Sequence, residues 1–247
     1  MSKPALFDYI VFAVILILPI VEWQWYGPRC LRAIRAGVSG ARQRVYRAEV
    51  IALWLVTFCL VGLWIAKVRP WGGLRLGASG ALRLDSGLLL AAIVIALFVL
   101  QMQKIQKALQ RPRVLATLRE KLAPLELVAP ANDGERRGFW LLSLSAGICE
   151  EVIYRGFVLW LITAWAGLIA GIIISSAIFG FMHMYLGAAH VPKTALIGLL
   201  FALVVVASGS LWPAMVIHAA MDLSSGEISF RVSEAARALS EPPPLTS

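Results

Sequence analysis

The sequence has little charge and no pattern of cysteines. Charged residues make up 15% of the chain and hydrophobic residues 60%, whereas a soluble domain carries charge on about a quarter of its residues. Cys30, Cys59 and Cys149 do not have the spacing of metal ligands or of a disulfide framework. The net charge of +9 is not accompanied by a basic groove with interleaved aromatic residues. These absences argue against a soluble globular domain and a disulfide scaffold, and no nucleic-acid partner is expected.

Long apolar stretches account for most of the chain. Three lie in the N-terminal part and four in the C-terminal part: near 5–22, 48–66, 87–103, 139–163, 168–186, 193–209 and 212–226. The first three are each close to the ~20 residues that a helix needs to cross a bilayer. The sequence therefore predicts an all-α, polytopic transmembrane bundle of about seven spans. Its partner is the lipid bilayer, and the expected location is the plasma (inner) membrane of a bacterial-type cell.

The cations are concentrated in two connections between apolar stretches, 27–47 and 104–138. Together these hold fourteen Lys and Arg residues, against five in the N-terminus and 67–86. The positive-inside rule places both in the cytoplasm and the N-terminus outside. The chain divides accordingly into four predicted parts: an N-terminal three-helix part (1–103), a basic connection (104–138), a C-terminal bundle (139–226) and a polar tail (227–247).

Six titratable side chains lie inside the apolar helices of the C-terminal bundle: Glu150, Glu151, Arg155, His183, His218 and Asp222. A charged side chain at the centre of a membrane helix costs roughly 2.5–3.5 kcal/mol on insertion scales. Residues placed at that cost normally face the interior of a bundle and are candidates for function. His190 and Lys193 fall in a loop beside Pro192 and are expected to be ordinary interfacial residues.

The spacing of these residues predicts one shared cavity. Glu151 and Arg155 are four residues apart with the acid first, the better order for a helical ion pair. Glu150 points about 100° away from that pair on a helix of 3.6 residues per turn. His218 and Asp222 are likewise four residues apart. Polar groups of this kind also serve as hydrogen-bonding contacts between membrane helices or as proton relays. These two roles are therefore alternatives to a catalytic cavity.

At these residues the chain resembles a known family. Its motifs are Glu150-Glu151-x-x-x-Arg155, Phe179-x-x-x-His183 and His218-x-x-x-Asp222. All three, in this order, are similar to those of the CPBP family, which includes type II CAAX prenyl proteases and bacteriocin-processing and immunity proteins. The resemblance covers roughly 139–226. It implies an intramembrane endopeptidase whose substrate is a prenylated CAAX-type peptide or another membrane-associated peptide.

The resemblance also implies roles for individual residues. Glu150, with His183, would activate a water to attack a peptide carbonyl. On chemical grounds His218 would donate a hydrogen bond to the developing oxyanion. Asp222 departs from the family, which often has Asn there, because an ionised Asp only accepts hydrogen bonds. It would instead orient His218, stay protonated or bind a metal. Three further residues are expected to be structural: Glu151, Arg155 and Phe179.

Metal dependence and function leave alternatives open. Glu150, His183 and His218 would also satisfy a catalytic zinc site of three protein ligands and a water, although no HExxH motif is present. No cofactor is certain. A non-catalytic immunity or scaffold protein and an ion- or proton-coupled transporter are the other candidate functions. A transporter predicts inverted repeats, and the two halves show no such symmetry.

One geometric difficulty accompanies these predictions. A helix starting at 139 places Glu150 about 18 Å from the cytoplasmic end at 1.5 Å per residue. His183 falls near the cytoplasmic end of the next span. The two residues meet only if the first helix starts late, tilts, or breaks near Gly156.

Overall fold

The computed structural model describes residues 4–76, 84–122 and 128–240, and these residues form helices and turns without any strand. The N-terminal part contains α1 (Leu6–Val21), a π-helical turn (Glu22–Tyr26), α2 (Gly27–Arg35), α3 (Ala41–Ala66), α4 (Leu84–Leu109) and α5 (Pro112–Leu122). The C-terminal part contains α6 (Asp133–Glu150), a π-helix (Glu151–Val158), α7 (Leu159–Ala166), α8 (Leu168–Met182), α9 (Val191–Ser208) and α10 (Trp212–Ser240). Short 3-10 turns lie at Trp71–Gly73, Met184–Leu186 and Ala188–His190.

The bundle has the surface of an integral membrane protein. Three helical segments are long and apolar enough to cross a bilayer: Leu6–Arg35, Ala41–Ala66 and Ala188–Ser208. Large apolar side chains face outward, as at Leu55, Ile169 and Leu196, where lipid rather than water is the favourable neighbour. The predicted all-α membrane bundle is confirmed. Each of the seven predicted apolar stretches is mainly helical, although α8 ends at Met182, four residues before the predicted end at 186. The number of spans stays a prediction.

Two sets of contacts identify the ends of the bundle. At one end Arg69 donates two hydrogen bonds of 2.7 Å to the Asp8 carboxylate, which joins the start of α1 to the connection after α3. At the other end the Tyr46 hydroxyl donates to the carbonyl of Val128 at 2.6 Å. We call this second end, formed by 27–47 and 128–138, the basic end. The first connection that is predicted to be cytoplasmic and the last part of the second, 128–138, thus lie together.

α6 begins earlier than the sequence predicts. Asn132 caps it by accepting a hydrogen bond from the backbone N–H of Glu135, and the Glu135 carboxylate accepts from the N–H of Ala131. This reciprocal arrangement satisfies N–H groups that a helix start leaves open. The predicted start at 139 is therefore six residues too late, and α6 takes the last residues of the predicted basic connection.

α10 also extends beyond its predicted limit. The helix predicted to end at 226 continues to Ser240, so residues 227–240 of the predicted polar tail are helical. Phe230 and Val232 are buried, and the guanidinium of Arg136 lies 4.8 Å above the Phe230 ring. Packing against the start of α6 thus keeps this segment helical despite its polar composition. The final segment, 241–247, lies outside the described residues.

Candidate active site

A turn at Gly167 places Glu150 and His183 at the same depth. Gly167 has φ of +85°, a conformation that favours glycine, and it reverses the chain between α7 and α8. Residues equally distant from this turn face each other. Thr163 contacts Gly171, four residues on either side, and Arg155 lies over Phe179, twelve residues on either side.

The distances of Glu150 and His183 from Gly167 explain why the two residues lie at the same depth, although the sequence predicts different depths. Glu150 is seventeen residues before Gly167, and His183 is sixteen residues after it. The helix does not start late, as one of the predicted solutions required; it starts early and stays continuous through a π-helix that contains Gly156. All eight residues of this π-helix are buried. Short π-helical segments inside α-helices occur frequently at functional sites.

The predicted pair of Glu151 and Arg155 is present and extends further than predicted. Arg155 Nη1 donates to Glu151 Oε1 at 2.9 Å, and Nη2 donates to the backbone carbonyl of Gly198 on α9 at 3.2 Å. The guanidinium also lies 4.0 Å from the centre of the Phe179 ring. Both charged side chains are almost inaccessible, at 0% and 1% exposure. Pairing and hydrogen bonding of this kind make a buried charge tolerable.

His218 joins the same cluster from α10. Its Nδ1 lies 2.8 Å from Glu151 Oε1, the oxygen that also accepts from Arg155. A carboxylate only accepts, so Nδ1 carries the proton. The other ring nitrogen, Nε2, then faces Glu150 Oε2 at 4.0 Å and Asp222 Oδ2 at 3.6 Å. Both distances exceed a hydrogen bond. The residue that orients His218 is therefore Glu151, and the predicted orienting role of Asp222 is not supported by this geometry.

His183 is oriented in the same way by a backbone group. Its Nδ1 lies 2.8 Å from the carbonyl oxygen of Phe179, and a carbonyl only accepts, so Nδ1 is again the donor. The Nε2 atom is left facing Glu150 Oε2 at 4.0 Å. The ring also packs on Phe179, with the ring centres 4.6 Å apart. Phe179 thus supports His183 through both its carbonyl and its ring.

Glu150 is the residue on which both histidines converge. Its Oε2 is buried and, within the described residues, accepts no hydrogen bond. Glu151 differs because one of its oxygens accepts two hydrogen bonds, although its other oxygen also has no partner there. Leaving a buried carboxylate oxygen unpaired costs more than the roughly 1–3 kcal/mol of a neutral group. Two atoms 4.0 Å apart can both hydrogen-bond to one water at about 2.8 Å, so the gap suits a water.

The same distances fit zinc less well. With bonds of about 2.0–2.1 Å, tetrahedral ligands lie roughly 3.4 Å apart, whereas Glu150 Oε2 is 4.0 Å from each imidazole nitrogen. Across the described ranges, no group of three His, Cys, Asp or Glu side chains is arranged to hold a metal ion. The zinc ligation predicted for Glu150, His183 and His218 stays a prediction.

Sequence reasoning missed two residues of the site, both on α9. Phe201 stacks on the His218 ring with the centres 5.1 Å apart and the planes 30° apart. Gly198 leaves space for Arg155, because a Cβ there would lie 3.2 Å from Nη2. Neither residue belongs to a motif, and the apolar run around them carries no titratable side chain to draw attention.

The fold and site define an integral membrane helical bundle that buries a carboxylate–histidine cluster between its C-terminal helices. Residues 136–224, which contain every residue of that cluster, match the family model described as "Type II CAAX prenyl endopeptidase Rce1-like". This segment of the chain is therefore similar to the type II CAAX endopeptidase (CPBP) family, and the resemblance seen in its three motifs is confirmed. Neither a curated protein nor a solved structure matches the chain.

Proposed function

We propose that this protein is an intramembrane endopeptidase that hydrolyses a peptide bond with a water activated by Glu150 and His183. The observation that carries the proposal is the position of Glu150 Oε2, buried, without a hydrogen-bond partner in the described ranges, and 4.0 Å from the Nε2 atoms of both histidines. A water in that gap would donate one hydrogen to Glu150. The match of residues 136–224 to the endopeptidase family model supports protease activity as the class of reaction.

The chemistry begins with proton transfer to Glu150. As the water oxygen bonds to the carbonyl carbon, the water proton passes to the carboxylate and the carbonyl π electrons move to oxygen. That proton is then transferred to the amide nitrogen, the C–N bond breaks, and a carboxylic acid and an amine result. His183 assists, because its Nε2 carries a lone pair when Nδ1 donates to the Phe179 carbonyl. It accepts the second hydrogen of the water and orients the attack.

His218 would stabilise the negative charge that develops on the oxygen of the substrate carbonyl. An imidazolium donates from both nitrogens, so protonated His218 gives one N–H to Glu151 and turns the other toward Glu150 and the gap. That second N–H would stabilise the oxyanion, an interaction whose loss typically lowers kcat by about 10²–10³-fold. Glu151 and Arg155 act through His218 by holding its ring in place.

The substrate class that we propose is a membrane-associated peptide with a prenylated CAAX-type C-terminus. It is supported by the description of the matching family model and by the site's position among membrane helices. The catalytic part that we propose is the C-terminal bundle, 139–226, which contains all of the site residues named above.

The test is cleavage of a fluorogenic peptide by full-length protein in detergent and in proteoliposomes, with prenylated and unprenylated peptides compared. Glu150→Gln keeps the shape of the side chain but removes the base, so cleavage should fall to background while the protein still purifies normally. Glu120→Gln, on the exposed surface of α5, is the matched control and should behave as wild type. Cleavage by Glu150→Gln at the wild-type rate would contradict the proposed mechanism. An inactive wild type would favour a silent scaffold or immunity protein.

A further inference from the structure

The short helix α2 carries a row of arginines that have no acidic partner. Arg29, Arg32 and Arg35 recur every three residues and are exposed. The connection 27–47 contains no Asp or Glu, and among the described residues none of the three forms an ion pair. Arg29 Nη1 donates to the carbonyl of Trp25 at 3.2 Å, and Arg32 Nε donates to that of Pro28 at 3.3 Å. Each guanidinium has five N–H donors, so most of them are available to a ligand.

The arginines are directed away from the bundle. Ile34 is buried, at 8% exposure. At 3.6 residues per turn it lies about 100° or more around the helix from each of the three arginines. The apolar side of α2 therefore packs inward and the basic side faces outward. Because like charges three residues apart repel each other on a helix, a basic row of this kind is stabilised by an external anion.

The helix places this row at the level of the lipid headgroups. Leu6–Arg35 runs as one helical segment of 30 residues, and Asp8 is tied to Arg69 at its far end. Arg29 and Arg35 follow Asp8 by 21 and 27 residues, which is about 31 and 40 Å at 1.5 Å per residue. The hydrocarbon core of a bilayer is about 30 Å thick, and the headgroups extend it to about 40–45 Å. With Asp8 at one face of the membrane, the row begins where the opposite headgroups begin.

Two aromatic side chains mark the same level. Trp25 is 64% exposed and Tyr26 is 40% exposed, and they precede Arg29 by about one helical turn. Exposed Trp and Tyr are enriched at the membrane–water interface, where the ring is in contact with lipid and its polar edge with the headgroups. A second basic group, formed by Lys104, Lys107 and Arg111, is also exposed. It differs because the segment 100–113 contains no aromatic residue.

α2 is joined through α3 to the helix that carries Glu150. The turn after α2 leads into α3 at Ala41. Arg42 pairs with Glu135 at 3.6 Å, and the Tyr46 ring packs edge-on against Phe139 with the centres 5.6 Å apart. These contacts hold the first turns of α6. An anion that fixes α2 at the membrane surface therefore stabilises the folded bundle as a whole.

We propose that α2 is a binding surface for anionic phospholipid headgroups, whose phosphates accept hydrogen bonds from Arg29, Arg32 and Arg35. Arginine is suited to this role because its planar fork binds a phosphate through two parallel hydrogen bonds. The positive-inside rule determines only the side of the membrane on which these cations lie; the level of the row, its outward direction and the neighbouring aromatic residues carry the assignment to lipid. Lipid binding at α2 is independent of the proposed peptidase activity.

The test measures the thermal unfolding midpoint of full-length protein in neutral detergent during titration with short-chain phosphatidylglycerol or phosphatidylcholine. Phosphatidylglycerol should raise the midpoint by about 2–4 °C, and phosphatidylcholine should have little effect. The triple variant Arg29→Gln, Arg32→Gln, Arg35→Gln should bind phosphatidylglycerol about fivefold more weakly for each cation removed. Its midpoint without lipid shows whether it is folded. The triple Lys variant at the same positions keeps the charge and should keep most of the lipid response.

The matched control is the triple variant Lys104→Gln, Lys107→Gln, Arg111→Gln, which removes the same charge and should keep most of the response. An equal loss in this control would show a general effect of surface charge and would overturn the assignment to α2. A wild-type response of the α2 Gln variant would overturn it as well, and so would equal effects of the two lipids. Inorganic phosphate and a poly-Glu peptide are the remaining arms. A rise in midpoint with either one that equals the rise with phosphatidylglycerol would identify a site for free anions or acidic peptides instead.

Discussion

His218 Nδ1 donates to Glu151 Oε1 at 2.8 Å, and this hydrogen bond ties α10 to the π-helix at the centre of the site. The same oxygen accepts from Arg155, so a single carboxylate neutralises a cation and orients a histidine. The pair that the sequence identifies as structural is thus in direct contact with a proposed catalytic residue. It links the stability of the bundle to the geometry of the reaction.

The first prediction separates these two roles of Glu151. Arg155→Ala leaves Glu151 buried beside one fewer donor, and breaking a buried pair typically costs about 3–5 kcal/mol. The yield of folded protein should therefore fall. Combining Glu151→Gln with Arg155→Met should recover part of that yield, since the buried charges are removed together, but not activity, since His218 loses its carboxylate. Size-exclusion profiles, thermal unfolding and peptide cleavage are the measurements. Normal amounts of both single variants with no gain in the double variant would contradict a structural role for the pair.

The second prediction concerns His218 itself. His218→Ala removes the Nε2 donor and should lower kcat by about 10²–10³-fold. It also leaves a space beside Phe201, which stacks on the ring, so the unfolding temperature should be recorded alongside the kinetics. His190→Ala, in the 3-10 turn at Ala188–His190, is the matched control. An equal loss of activity in both variants would argue that the His218 effect is not specific to the site.

The third prediction tests the close approach of α6 and α10. A Cβ at Gly147 would lie 2.7 Å from the backbone nitrogen of Ala219, a contact that backbone atoms cannot relieve without separating the helices. Because His218 is adjacent to Ala219, Gly147→Ala should lower both thermal stability and activity. Gly62→Ala, on the exposed face of α3 with no atom within 4 Å of the added Cβ, should be neutral or stabilise by about 0.5–1 kcal/mol. Equal stability of the two variants would show that the packing is looser than described.

The fourth prediction concerns metal. The 4.0 Å separations around Glu150 Oε2 are wider than zinc ligation requires, so dialysis against a strong chelator should leave cleavage unchanged. Elemental analysis of the purified protein checks the same point without an activity readout. Loss of cleavage that stoichiometric zinc restores, and that cobalt restores with a visible ligand-field spectrum, would establish the zinc site instead.

The fifth prediction concerns orientation in the membrane. On a cysteine-free background, Ser39→Cys in the first basic connection should be protected from a membrane-impermeant maleimide in intact cells. Val68→Cys, at a position that is 90% exposed at the opposite end, should react. Both sites should react after the membrane is permeabilised, which controls for accessibility. Labelling of Ser39→Cys from outside would reverse the predicted topology.

Much of the site could be predicted from the sequence because some of its contacts join residues that are close along the chain. The pair of Glu151 and Arg155 depends on an i,i+4 spacing that any helix converts into proximity, and the structure contains it. The placement of His183 opposite Glu150 could also have been predicted from the sequence. Once Gly167 is recognised as the turn, equal distances along the two arms place the residues face to face.

The sequence by itself determined the helices, the membrane class and the likeness of residues 136–224 to the type II CAAX endopeptidase family, since these follow from apolar stretches and from motifs within single helices. Only the tertiary structure decided that Glu151 rather than Asp222 holds His218, and that Phe201 covers its ring. It also decided that α6 begins at Asp133 and that α10 continues to Ser240. These features depend on how distant helices pack against one another, and helix-to-helix contacts have no fixed spacing along the chain from which they can be predicted.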